Sequence, residues 1–254
     1  NNKYVKNGLI DPKALLIQED VSDKAKEYAE SVEKEVEDML KILREKECPE
    51  IKIGPHCDDP HECPLKAICW GFLPKDSVFI FNRIRKTKAF ELIDKGILGV
   101  KDVDAGFPST DSHKIQWECH SKNRVHINPS GVKSFLDQLE FPLHFLDFET
   151  VRPAIPFYDQ TRPYQQVPFQ FSLHILPGWG KEALHHAFLA EGRNDPRPAL
   201  LSMLKSLIDK KGSVLAYNMS FELSRLRESA AVYPEYAKWF EDIEGRFLDL
   251  IDPF

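Results

Sequence analysis

Asp147 and Glu149 stand two apart inside an apolar run, "FLDFET", residues 145–150. In an extended strand that spacing turns both side chains to one side. Two carboxylates on one face repel each other, which favours the protonated form of one unless something intervenes. A divalent cation removes the conflict, and carboxylate oxygens suit Mg²⁺ or Mn²⁺. Two such ions roughly 4 Å apart can activate a water and stabilise the leaving oxygen of a phosphodiester. The apolar flanks fit a rigid supporting strand. A third carboxylate, Glu222, follows in "AYNMSFE", residues 216–222, where a strand gives way to a helix. From the first helical turn it can be directed toward the end of the strand that bears the other two. Taken singly, the pair reads as an exposed strand end, and Glu222 as a first-turn acid worth at most about 1 kcal/mol. Taken together, in this order, the three predict a metal site.

Cysteines make the second cluster. Cys57, Cys63 and Cys69 repeat with five residues between neighbours, and Cys48 lies nine positions before Cys57. Thiolates are soft ligands for zinc or an iron–sulfur cluster. The spacing disfavours a zinc ribbon, which carries closer pairs. Trp70 and Phe72 are placed to shelter a cluster, and His56 and His61 are weaker ligand candidates. The alternative is a set of reduced, unliganded thiols. Cys119 is isolated and reads as structural. Between the two acidic motifs, Arg152, Tyr158, Arg162 and Tyr164 fall in one loop, 150–166. They are candidates to grip phosphates and stack terminal bases; equally, the aromatics and prolines of this loop close over the core.

The elements that must position these residues follow from periodicity. Residues 22–46 read as a helix with one apolar face from Ala25 to Leu43, capped by Ser22 or Asp23. Residues 47–75 read as an irregular loop, 77–81 as a short strand, 88–96 as a helix stopped by Gly96, and 101–130 as a polar linker. Residues 131–140 read as a short helix and 142–149 as a strand. Alternation over 166–176 predicts another strand, with Pro168 at an edge or bulge. Residues 184–190 complete the series of strands. Then come a helix, 198–212, ended by Gly212, a strand at 213–218, and a helix at 221–233 capped by Asn218 or Ser220. Strands in succession followed by helix, strand, helix predict an α/β mixed sheet with flanking helices.

The chain has 254 residues, 42% hydrophobic and 29% charged, with a formal net charge of -6. That is ordinary globular composition. No apolar run approaches a membrane span, so no membrane partner is expected. The acidic balance argues against nonspecific coating of nucleic acid but not against a nuclease, whose metal-holding acids lower the net charge. Clustered cysteines in a chain of this length point to a reducing compartment, hence the cytoplasm.

The order of "FLDFET", the following elements and "N-x-x-F-E" resembles the DEDD superfamily of 3′–5′ exonucleases, built on an RNase H-like sheet. The resemblance makes Asp147 and Glu149 the first motif and Glu222 the acid of the second, with Glu in place of Asp, and adds Asn218 as a substrate-binding residue. It implies two Mg²⁺ or Mn²⁺ ions and a nucleic-acid substrate, DNA before RNA. The final acid and the general base are expected beyond this chain. "IGPHCDDPHECPLKAICW", "FLDFETVRPAIPFYDQTRPYQQVPFQFSLHI" and "AYNMSFELSRL" are further similar to the bacterial domain of unknown function 2779 family. That resemblance implies a RecB-like nuclease region joined to a DEDD-like domain, and a [4Fe–4S] cluster, or zinc, at Cys57, Cys63, Cys69 and Cys48. It divides the chain into 1–75, the tail of the RecB-like region; 76–130, a connecting segment; and 131–254, an RNase H-like domain cut short at its C-terminus. Two rival functions remain: an inactive scaffold of the same fold that binds nucleic acid or protein, and an iron–sulfur or zinc structural or redox module.

Overall fold

The computed structural model describes residues 1–47, 49–107, 110–208 and 210–254. In chain order the elements are α1 (Pro12–Leu15), α2 (Ser22–Arg44), α3 (Lys66–Cys69), α4 (Lys86–Asp94), α5 (Asp111–Lys122), α6 (Pro129–Leu136), β1 (Leu143–Val151), β2 (Val167–Leu176), β3 (Leu184–Leu189), α7 (Arg197–Leu207), β4 (Val214–Ala216), α8 (Ser220–Val232), α9 (Ala237–Glu244) and β5 (Phe247–Asp249). They form two compact units, Asp20–Ile127 and the combination of Asn1–Glu19 with Asn128–Phe254. Among the described residues, no helix is long and apolar enough to cross a membrane.

The second unit is a mixed α/β layer structure. Five strands among the described residues form one sheet in the order β3-β2-β1-β4-β5. β1 runs antiparallel to β2 and parallel to β4; β2–β3 is antiparallel and β4–β5 parallel. β1 is thus central. Its Leu146 and Phe148 join Phe171 and Leu173 of β2 in a core covered by Leu200 and Leu204 of α7, Leu226 of α8 and Phe240 of α9. Each such side chain contributes about 1.5–3 kcal/mol on burial. The opposite sheet face is covered at one end, where Phe135 of α6 packs on Leu143 and Leu215. Alternation along β1 therefore buries Leu146 and Phe148 and leaves Asp147 and Glu149 exposed.

A register shift falls between Glu149 and Thr150, where Thr150 pairs with Pro168. Pro168 marks a bulge, as its missing N–H requires, but β2 is an interior strand, not an edge. The N-terminal residues attach to the loop after β1: Lys6 donates its amide to the Thr161 carbonyl at 3.0 Å and its ammonium pairs with Asp159. Beneath that loop Arg197, only 1% exposed, clasps Asp195, and Tyr233 donates to the same carboxylate at 2.9 Å. Burial opposes ionisation of Asp195, but the Arg197 guanidinium wins and holds the carboxyl below its ordinary range.

Several elements differ from expectation. α2 begins at Ser22 without a side-chain cap; Asp20 instead accepts from the Ser22 amide at 2.9 Å. None of its residues is buried, so its apolar stripe lies exposed. Residues 78–80 make a tight 3₁₀ turn rather than a strand, because Val78 donates to Leu98 and the segment touches Gly99 through a single bridge at Ser77. The polar stretch 101–130 contains α5, started by Thr110, whose hydroxyl accepts from the His113 amide. Gly96 does follow α4 with φ 77°, the left-handed stop that glycine allows.

Candidate functional site

Parallel pairing sets His144 of β1 beside Val214 and Phe145 beside Leu215, while Ala216 of β4 pairs with Asp249 of β5. β4 ends there, and α8 starts within four residues. Asp147, Asp249 and the first turn of α8 are therefore brought to the same carboxyl end of the sheet, beside the strand where its direction of pairing switches. Such ends are where open α/β sheets place ligands.

Glu222 sits in that first turn, 4% exposed. Burial above all, and then the negative charges of Asp147 and Asp249, push its carboxyl up to about 7, against the pull of its own amide and of Arg225. Its Oε2 has no hydrogen-bond partner among the described residues. A buried carboxylate facing two others is what a bound cation relieves. Asp147 and Glu222 stand on facing elements, with Glu149 farther along β1, past the end of β4. Among the described residues, no group of three or more His, Cys, Asp or Glu is gathered as a ready-made metal site.

Folded-state proton affinity above the ordinary 4.5 has a consequence for stability. Between 4.5 and about 7 the folded protein holds the Glu222 proton more tightly than the unfolded chain, so stability falls as pH rises through that window. Glu222→Gln should remove this loss. Its advantage over the native residue should grow from near zero at about pH 4 to about 3 kcal/mol at about pH 8. Urea unfolding of both proteins at the two pH values checks it; a constant difference would contradict the assigned environment.

Asp249 does work that its sequence position did not reveal. Its oxygens accept the backbone N–H of Asn218 at 2.7 Å, of Met219 at 2.9 Å and of Ile251 at 3.1 Å. The start of α8 is thus capped by a carboxylate from β5, not by Asn218 or Ser220. Asn218 adopts φ 59° and its side-chain oxygen accepts from the Ser220 hydroxyl; Met219 occupies the N-cap position with no side-chain bond. The only sequence signal was "FLDLID", an acid ending a short apolar run. Arg225 was also missed. Buried on α8, it donates to Gln166 at 2.6 Å and to Glu228 at 2.5 Å, tying the loop after β1 to the helix that bears Glu222.

That loop distributes its four candidates unequally. Tyr164 is 53% exposed with φ 61°, and Arg152 donates to its carbonyl at 3.0 Å while its guanidinium lies 5.9 Å from the ring centre. Arg162 is exposed and lines, with Tyr164 and Glu228, a cavity of about 510 Å³. Tyr158 is half-buried; burial and then the charge of Asp195 raise its phenol, so it belongs to the packed underside. On the sheet, Ser172 stands opposite Asp147, and its hydroxyl lies 3.1 Å from Nε2 of His185.

In the Asp20–Ile127 unit, Cys57 is buried, Cys63 half-buried and Cys69 exposed, all as free thiols. The Cys63 amide donates to the Cys57 carbonyl at 2.9 Å. Among the described residues these thiols are not gathered with one another or with His56 or His61 into a ligand group. Cys48 lies outside the described residues. Cys119 is half-buried on α5.

The chain is similar to Uncharacterized protein UU173 of Ureaplasma parvum serovar 3 (strain ATCC 700970), 28% identical over 210 residues. The alignment covers 79% of this chain and 29% of that protein, so the chain spans less than a third of the relative's length. No solved structure matches it. Residues 144–254, the segment that holds Asp147, Glu149, Glu222 and Asp249, match the family model described as Domain of unknown function (DUF2779).

Proposed function

We propose that the carboxylate end of the sheet is a metal-dependent phosphodiesterase site acting on nucleic acid, in the manner of a DEDD 3′–5′ exonuclease on an RNase H-like sheet. One observation carries the reading: Glu222 is buried with an unpartnered oxygen and faces the charges of Asp147 and Asp249. The central place of β1, between an antiparallel and a parallel neighbour, supports the fold assignment. In this reading Asp147, Glu149 and Glu222 hold Mg²⁺ or Mn²⁺. When bound, such ions polarise a phosphoryl oxygen and lower the pKa of an attacking water. Asp249 keeps the first turn of α8 in place, and Arg225 anchors the neighbouring loop. Arg152, Arg162 and Tyr164 sit on the exposed side of that loop, where guanidinium groups meet phosphates and a ring meets an unpaired base.

Binding is testable apart from catalysis. Mn²⁺ should raise the unfolding midpoint at about pH 8, where Glu222 is ionised, and do little at about pH 4, where cation and protons compete for the same oxygens. An unchanged midpoint at the higher pH would remove the metal site. For the substrate, Tyr164→Ala should raise KM for a single strand roughly tenfold and leave kcat within about twofold, because stacking on one base contributes about 1–3 kcal/mol. A loss confined to kcat would place Tyr164 elsewhere in the mechanism.

A second reading is favoured by the absence, among the described residues, of a ready-made group of three ligands. There the domain is a catalytically inactive scaffold that keeps the fold and binds nucleic acid. Strand binding without cleavage in Mn²⁺ separates it from the first.

A further inference from the structure

Arg83, Arg85 and Lys88 line a cavity of about 700 Å³ in the Asp20–Ile127 unit. That volume is within the range of small-ligand sites. Glu91 is the lining carboxylate, and Lys88 already engages it at 2.8 Å. Arg83 and Arg85 are exposed and make no ion pair among the described residues. Arg83 sits at φ 54°, a backbone state that side chains seldom adopt. α4 starts immediately after Arg85 without any side-chain cap, so its first amides have no side-chain acceptor and carry the positive end of the helix dipole.

His113, 7% exposed, lines the same cavity. Its Nε2 lies 2.8 Å from the Asn82 carbonyl, which fixes the proton there. Its Nδ1 is buried and has no partner among the described residues. In that tautomer Nδ1 carries a lone pair with no donor among the described residues. Phe107, also in the lining, is held in place by Phe81 at 5.7 Å between ring centres and offers a flat apolar wall.

We propose that this cavity binds a nucleoside monophosphate group. The phosphate meets Arg83, Arg85 and the first turn of α4; a sugar hydroxyl meets His113 Nδ1; the base lies against Phe107. The group is either a free nucleotide or the phosphorylated end of a nucleic-acid strand. Nothing in this assignment depends on the carboxylate site.

Isothermal titration of the whole chain tests it with adenosine 5′-monophosphate, adenosine, the 2′,3′-dideoxy monophosphate, and a short single strand with and without a terminal phosphate. The monophosphate or the phosphorylated strand should bind, adenosine and the unphosphorylated strand at least tenfold more weakly, and the dideoxy analogue severalfold more weakly. An Arg83→Gln/Arg85→Gln double variant should lose about tenfold or more in affinity with an unchanged unfolding midpoint, since both side chains are exposed. Preference for the mononucleotide identifies a free nucleotide as ligand; binding of the phosphorylated strand alone identifies a strand end. The proposal is overturned if neither phosphorylated ligand binds, if adenosine binds as well as its phosphate, or if the double variant binds like the native protein.

Discussion

Asp147→Asn should lower Mn²⁺-dependent cleavage of a labelled single strand by at least about a hundredfold, while leaving the fold intact. The side chain is exposed at the middle of β1, so its replacement removes no packing. It also withdraws one of the two negative charges that raise the Glu222 carboxyl. The unfolding midpoint of the metal-free variant should therefore stay level or rise at about pH 8, where that repulsion acts. Lost cleavage with preserved stability is the signature of a group that handles cations. Equal cleavage by variant and native protein would end the phosphodiesterase reading, and a collapse of stability would make Asp147 a structural residue instead.

The second large effect is on folding. Gly212→Ala should cost about 4 kcal/mol, or a fall of roughly 10 °C in unfolding midpoint for a chain of this size. Gly212 has φ 88°, and a β-carbon there would come within 2.8 Å of the Pro142 nitrogen, 2.9 Å of its carbonyl carbon and closer still to its oxygen. The neighbouring backbone cannot give way, because it is laced across the sheet. Ser213 donates to the Glu140 carbonyl at 2.7 Å and accepts from His144 at 2.9 Å. Those bonds seat β4 beside β1. Gly245→Ala is the control, since nothing lies within 4 Å of a β-carbon at that position. A loss below about 1 kcal/mol for Gly212→Ala would show that the two segments separate easily.

Gly212 also shows where reading the sequence succeeds and where it stops. Glycine after an amphipathic helix signals a helix end, yet α7 finishes at Leu207. The residue is needed for a close approach to Pro142, a contact between distant parts of the chain that local pattern does not encode. β2 was legible because ten residues of alternation point to a strand, and β1 because an apolar run there carries two acids at strand spacing. Asp147 was legible as a polar residue within an apolar strand, and Glu222 as an acid in a first helical turn. Asp249 was not, since β5 is three residues long and its role as acceptor for the α8 amides arises only from sheet order. α5 hid inside a polar stretch because His113 is its one buried residue; without an apolar stripe a helix has no periodic signature. α2 had the stripe, and its exposure shows that periodicity reports capacity for burial, not burial itself.

β4 meets β1 only at His144 and Phe145, whereas β2 accompanies β1 to Val151. The acid-bearing strand is therefore clamped from both sides at its root and from one side at its tip, just before the bulge. Amide protons near Leu146 should exchange with solvent far more slowly than those near Thr150. Stiffness that fades along the strand holds Asp147 as a fixed post and leaves Glu149 a compliant arm, able to follow whatever arrives between them.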